Sequence, residues 1–194
     1  MSIRFEQRKS PFRRMIHLLN VPRARDLVKR IEGYLARDDR ILDLGCGSCN
    51  ISEILRARGL DVTPVDVRNS SFVDAITPLI YDGRALPFPD DRFDVGLLIT
   101  VLHHIRDPES VLREARRVCR RLVIVEDVYK NRLHKYFTFV MDSIANGEYF
   151  GHPHSNKSDA QWRAVFDRLG LRLLHAAYQQ SCVVFSHATY HLER

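Results

Sequence analysis

The chain predicts an open, doubly wound α/β fold with a mostly parallel sheet, and three observations carry that expectation. Apolar runs of strand length alternate with segments whose apolar residues recur at helical spacing. A tight Gly-x-Gly turn, Gly45-Cys46-Gly47, separates one such run from the helix after it. Successive runs end in acids, at Asp66, at Asp82 and at Glu126 with Asp127. In folds of this kind ligands gather outside the carboxyl ends of the strands.

In chain order, Phe12, Met15, Ile16 and Leu19 sit at helical spacing, Pro22 predicts a break, and Ala24, Leu27, Val28, Ile31 and Leu35 form a second helix. This pair is expected over the ligand edge of the sheet, as a cap or packing layer. Ile41–Leu44 is a strand with one buried acid, Asp43. After the turn, Ile51, Ile54 and Leu55 mark a helix face that Arg58-Gly59 closes. Val62–Asp66 is the second strand. Residues 69–76 read as a short helix or irregular loop, and Pro78–Tyr81 as the third strand. Phe93–Thr100 is apolar almost throughout, as a central strand covered on both faces must be. Asp107 caps the next helix, with Pro108 at its first position and Val111, Leu112, Ala115 and Val118 on its buried face. Leu122–Glu126 is the fifth strand.

The chemistry centres on the turn. Gly45 and Gly47 permit positive φ and close approach of a ligand, and the following helix offers free N–H groups. A phosphate would be repelled by Asp43, whereas a ligand with a free ammonium group gains a counter-charge. Asp66, 21 residues after Gly45, is spaced to accept ribose hydroxyls. Asp82, at another strand tip, suits the exocyclic amine of an adenine, with Gly83 leaving room for the ring.

At 194 residues and 45% hydrophobic content the chain suits a single domain over residues 1–194. No signal-peptide core and no run of membrane-span length are present, so a cytoplasmic location is expected. The net charge of +6 lies entirely in residues 1–40, where 11 Lys/Arg face 5 Asp/Glu. That excess suits a basic arm for nucleic acid or an anionic surface, or simply the solvated face of an amphipathic helix pair, which is the expectation taken.

The order Asp43-x-Gly45-x-Gly47, Asp66, Asp82-Gly83 before Leu86-Pro87-Phe88, then Phe93-Asp94 leading to Leu102-His103-His104-Ile105, resembles the class I S-adenosylmethionine-dependent methyltransferases. It is most similar to their small ubiquinone/menaquinone-biosynthesis-like (type 11-like) branch. The resemblance covers residues 38–127 and implies a Rossmann-like sheet of seven strands, the last antiparallel. Ser158 with Gln161 forms a capping box for a closing helix to Gly170, and Leu171–Tyr178 with Cys182–Leu192 supplies the final hairpin. The implied layout is a helical cap over 1–37, a cofactor core over 38–128, a substrate lid over 129–157 and the closing elements over 158–194.

The resemblance further implies S-adenosylmethionine as cofactor and S-adenosylhomocysteine as product. Gly45, Cys46 and Gly47 would lie beneath the methionyl and ribose portion, with Asp43 organising the loop near the ammonium. Asp66 would bind the ribose, Val67 the adenine face, Asp82 and Gly83 the adenine edge, and Thr100 the cofactor floor. The acceptor is expected to be a small, partly apolar molecule methylated at O, N or C. His103 and His104 are candidate bases or substrate contacts, each equally readable as a packing histidine. Tyr136, Phe139, His154 and Asn156 are candidate substrate contacts. Two departures stand out: Cys49 occupies the place of a frequent third glycine, and the usual Pro-Gly-Gly turn before the fifth strand is missing.

Rival readings are a nucleic-acid methyltransferase, a non-catalytic cofactor-binding protein and a thiol–disulfide oxidoreductase using Cys46 and Cys49. Nucleic acid is disfavoured as a partner because no base-amine methylation motif and no Pro-Cys nucleophile pair is present. No metal is expected, since a lone His152-x-His154 falls short of two ligand pairs. A monomer or homodimer is expected.

Overall fold

A computed structural model describes residues 11–128, 157–181 and 185–194. Among these residues seven strands form one sheet: β1 (Arg40–Leu44), β2 (Asp61–Asp66), β3 (Leu79–Ile80), β4 (Phe93–Ile99), β5 (Cys119–Val128), β6 (Arg172–Ser181) and β7 (Phe185–Glu193). Their order is β3-β2-β1-β4-β5-β7-β6. The first five run parallel, and β7 is inserted antiparallel to both β5 and β6. The α-helices among the described residues are α1 (Pro11–Ile31), α2 (Asn50–Ala57), α3 (Pro108–Val118) and α4 (Asp159–Arg168).

Alternation along the strands divides the core between two faces. On one face Ile41, Val62, Val95, Leu97, Ile99, Val123 and Val125 pack against Leu27, Val28 and Ile31 of α1 and Leu55 of α2. On the other, Leu42, Leu44, Leu98, Leu122 and Ile124 meet Val111, Leu112, Ala115 and Val118 of α3 and Trp162, Val165 and Phe166 of α4. Helices on both faces are the doubly wound arrangement expected. Asp107 accepts from the Ser110 N–H with Pro108 at the first turn, and Ser158 and Gln161 close their capping box on α4.

Three expectations are corrected in detail. α1 is one helix running through Pro22, not two broken by it. Pro22 has no N–H for the Leu18 carbonyl, but both residues lie on the exposed side, where water replaces the lost bond, while Ala24, Leu27, Val28 and Ile31 anchor the helix to the sheet. Leu35 is then extended, beyond a short 3-10 turn at Glu32–Tyr34. The third strand is only Leu79–Ile80, an exposed edge, and β5 starts at Cys119, directly after α3, and runs on to Val128. Among the described residues no helix is long and apolar enough to cross a membrane.

Candidate active site

β1 delivers the chain at Leu44 into a turn pinned from two sides. The Gly45 and Cys46 N–H groups both donate to the Val65 carbonyl of β2, at 2.8 and 3.2 Å. Cys49 N–H donates back to the Cys46 carbonyl at 2.9 Å, closing the turn just before α2. Gly45 (φ 76°) needs to be glycine for space as well as conformation, because a Cβ there would stand 2.3 Å from Val101 Cγ2. Gly47 (φ 49°) has nothing within 4 Å of where its Cβ would be, so its open side is left to a ligand.

The acids at the strand tips have distinct environments. Asp43 points from β1 towards α2, is buried and accepts from the Ser52 hydroxyl at 2.6 Å. Burial pushes its pKa up to about 6, with Asp66 adding to the rise, against the Ser52 bond and the Arg56 charge. Asp66 is half-buried and accepts from the N–H groups of Gly47 at 2.8 Å and Val67 at 2.7 Å, so it joins the β1 turn to the tip of β2. Asp82 is exposed and accepts from the N–H groups of Arg84 and Ala85, and these bonds hold its carboxyl below the usual range.

A cleft of about 750 Å³ opens at the carboxyl edge of the sheet. It brings together Asp43, Gly45, Cys46, Gly47, Asp66, Val67, Thr100 and His104. It does not take in Asp82, Gly83 or His103, although Gly83 lies against Val67, 3.4 Å from the place of its missing Cβ to Val67 Cγ1. Asn20, Arg23, Ala24 and Leu27 of α1 and Tyr81 also line the cleft and were not foreseen as site residues. The signal was present for α1: Asn20, Ala24 and Leu27 share one helical face at i, i+4 and i+7.

Residues 42–124 match the methyltransferase domain family. The ubiquinone biosynthesis O-methyltransferase of Proteus mirabilis (strain HI4320) is 28% identical over 120 residues, which are 56% of this chain and 46% of that protein. Of the solved structures, a SAM-dependent methyltransferase from Methanosarcina mazei gives a TM-score of 0.68 at 18% identity, covering 84% of this chain and 96% of its own. Magnesium protoporphyrin IX methyltransferase from Synechocystis PCC 6803, with bound SAH, gives 0.62 at 15% identity, covering 90% and 84%. The chain is thus similar to methyltransferases over residues 42–124 and shares their fold across most of its length. The match spans under half the length of these curated relatives.

Within the core that matches this domain family, the two histidines after β4 part company. His103 is buried, and its Nδ1 lies 2.6 Å from Glu126 Oε2. The other oxygen of Glu126 accepts the N–H groups of Val101 at 2.9 Å and Leu102 at 2.7 Å. The expectation of His103 as a base facing a substrate is therefore corrected: it belongs to a buried clamp that ties the loop after β4 to β5. His104 stacks at 4.0 Å between ring centroids on His103 and faces the cleft. Thr100, at φ 50°, donates its N–H to the Val125 carbonyl at 2.7 Å and so turns the chain across the cleft floor.

The two thiols of the turn after β1 are close, with Sγ atoms 3.6 Å apart. Cys46 lines the cleft, while Cys49 is buried with Val73 and Ile76. Contact with Cys49 and burial push the Cys46 thiol up, and contact with Cys46 draws Cys49 down. Tyr136, Phe139, His152, His154 and Asn156, with residues 129–156 of the expected lid, lie outside the described residues. Among the described residues no group of three or more His, Cys, Asp or Glu could hold a metal ion.

Proposed function

We propose that the cleft binds S-adenosylmethionine and that the chain transfers its methyl group to O, N or C of a small, partly apolar molecule. The observation that carries this reading is the bond from Gly47 N–H to Asp66, at 2.8 Å, inside the cleft. It sets a glycine turn with open space above it beside a carboxylate at the tip of the next strand. The residues fit the cofactor. The cleft volume of about 750 Å³ is in the range of small-molecule sites. Asp43 is a buried carboxylate at the cleft wall whose hydrogen-bonding partner is neutral Ser52, so an ammonium group would relieve it. Asp66 retains acceptor capacity for two hydroxyls beyond its backbone bonds, Val67 is exposed beside it for a ring, and Asp82 with Gly83 flanks Val67 from outside the cleft.

When bound, S-adenosylmethionine supplies a methyl group already activated on a sulfonium. The work of the chain is then to hold donor and acceptor in line, an effect worth about 7–11 kcal/mol in favourable cases. Thr100 and the Glu126 clamp fix the floor on which an acceptor would rest. Ile105, Val111 and Leu27 give that part of the cleft an apolar wall, and His104 is the group there able to take a proton from an acceptor. The names of the relatives, which act in ubiquinone biosynthesis or on magnesium protoporphyrin IX, support a small-molecule acceptor.

Isothermal titration with S-adenosylmethionine tests the reading. Wild type should bind and Asp66→Ala should bind at least about tenfold more weakly, the loss of roughly one charge-assisted hydrogen bond. Absence of binding by correctly folded wild type would reject it.

A further inference from the structure

Cys46 and Cys49 form a pair that methyl transfer does not use. The Cys49 N–H to Cys46 carbonyl bond closes a four-residue turn, which keeps the two Cα atoms within about 7 Å. Disulfides span Cα separations of about 4.4–6.8 Å, and the sulfurs need to approach from 3.6 Å to about 2.05 Å. Cys46 faces the cleft and is open to a reagent; Cys49 is wholly buried directly behind it. Cys49 also sits at φ 62°, a conformation that costs a non-glycine residue about 1–2 kcal/mol, and its packing on Val73 and Ile76 offsets part of that cost.

We propose that Cys46 and Cys49 are a reversible dithiol switch on the cofactor turn, closed by small-molecule disulfides, and that the closed form rejects S-adenosylmethionine. The gating rests on the cofactor reading above. In the first step Cys46 sulfur bonds to one sulfur of the reagent R–S–S–R; its proton leaves with the departing R–S⁻ as a thiol. In the second, Cys49 sulfur attacks the Cys46 sulfur of the mixed disulfide, expelling the second R–S⁻, which takes up the Cys49 proton. Two thiols of the chain are oxidised and one reagent disulfide is reduced to two thiols. Cys49, its Sγ 3.6 Å from that of Cys46, is placed for the second, resolving step. Closure draws Cys46 Sγ out of the cleft wall and under the turn. Gly47, between the two cysteines, is shifted with it, and its bond to Asp66 is strained at the point where the ribose would sit.

The test treats the full chain with oxidised glutathione, then maps peptides and titrates S-adenosylmethionine. Residues 41–56 form one tryptic peptide that contains both cysteines and no other. The expected result is loss of two hydrogens from this peptide, at least about tenfold weaker binding, and recovery of both with dithiothreitol. Cys49→Ser should show no loss of binding that depends on a disulfide within the peptide. A peptide left reduced, or carrying glutathione on Cys46 without closure, overturns the switch. Closure with unchanged affinity overturns the gating. If the reduced protein fails to bind at all, the cofactor reading and the gating fall together, while the peptide still decides whether the pair closes.

Discussion

A carboxylate as deeply buried as that of Asp43 costs the protein stability in its ionised form. Its pKa of about 6 lies above the ordinary 3.8, so the folded state holds the proton more tightly than the unfolded state does. Its stabilising effect is complete below pH 4 and is lost as the pH climbs through 6, a difference of about 3 kcal/mol. Asp43→Asn should therefore raise the melting temperature at pH 7.5 in the absence of ligand. A bound ammonium reverses the preference, because it favours the ionised acid. Affinity of the wild type for S-adenosylmethionine should accordingly weaken from pH 7 to pH 5, by up to about tenfold per unit below pH 6. Asp43→Asn should bind more weakly and lose that pH dependence, which titrations at three pH values would read. The turn glycines separate stability from binding in the same way. Gly45→Ala drives a Cβ into Val101 and should destabilise by about 2 kcal/mol or more, visible in urea unfolding. Gly47→Ala meets no atom, so it should cost only about 1 kcal/mol of stability, from its positive φ, while intruding on the cleft and weakening the cofactor.

Among the elements, α1 shows how burial overrules a local breaker. Pro22 and the lost Leu18 bond lie towards solvent, so Pro22→Ala should raise the melting temperature by several degrees, for a gain of about 1–3 kcal/mol. An unchanged or lower melting point would mean that the proline suits this helix. The strand–turn–helix of β1 and α2, the strand-tip acids and the caps of α3 and α4 were all legible in the sequence, because each depends on residues a few positions apart. What escaped was long-range. Pro22 looked like a break because its helix is held by a sheet that begins at Arg40. His103 looked like a base because its partner, Glu126, is 23 positions away. Asp82 is a local exception: its Oδ1 already serves the turn of Arg84 and Ala85, two and three positions on.

For the molecule as a whole, a ligand that binds only the folded form stabilises all of it. At a hundredfold excess over Kd, S-adenosylmethionine should add about 2.7 kcal/mol, or roughly 5–10 °C in melting temperature for a chain of this length. Adenosine at equal concentration, lacking the ammonium that Asp43 would meet, should give a smaller shift. Equal shifts would remove Asp43 from the cofactor site. Charge is part of the same picture. Within the basic first forty residues, Arg40 pairs with Asp94 of β4, outside that segment, and Arg23 faces the cleft. Part of that excess is thus spent inside the molecule, where it does not add to an outward-facing basic surface.

The insertion of β7 between β5 and β6 has a biosynthetic consequence. Among the described residues β5 is one of the longest strands, and it must wait for β7, made after β6, before its edge on that side is covered. A nascent chain on the ribosome therefore carries a five-stranded sheet with an open, apolar border, the kind of edge that recruits foreign strands. Arrest of synthesis before Phe185 should leave a species that chaperones hold, and release past Glu193 should free it.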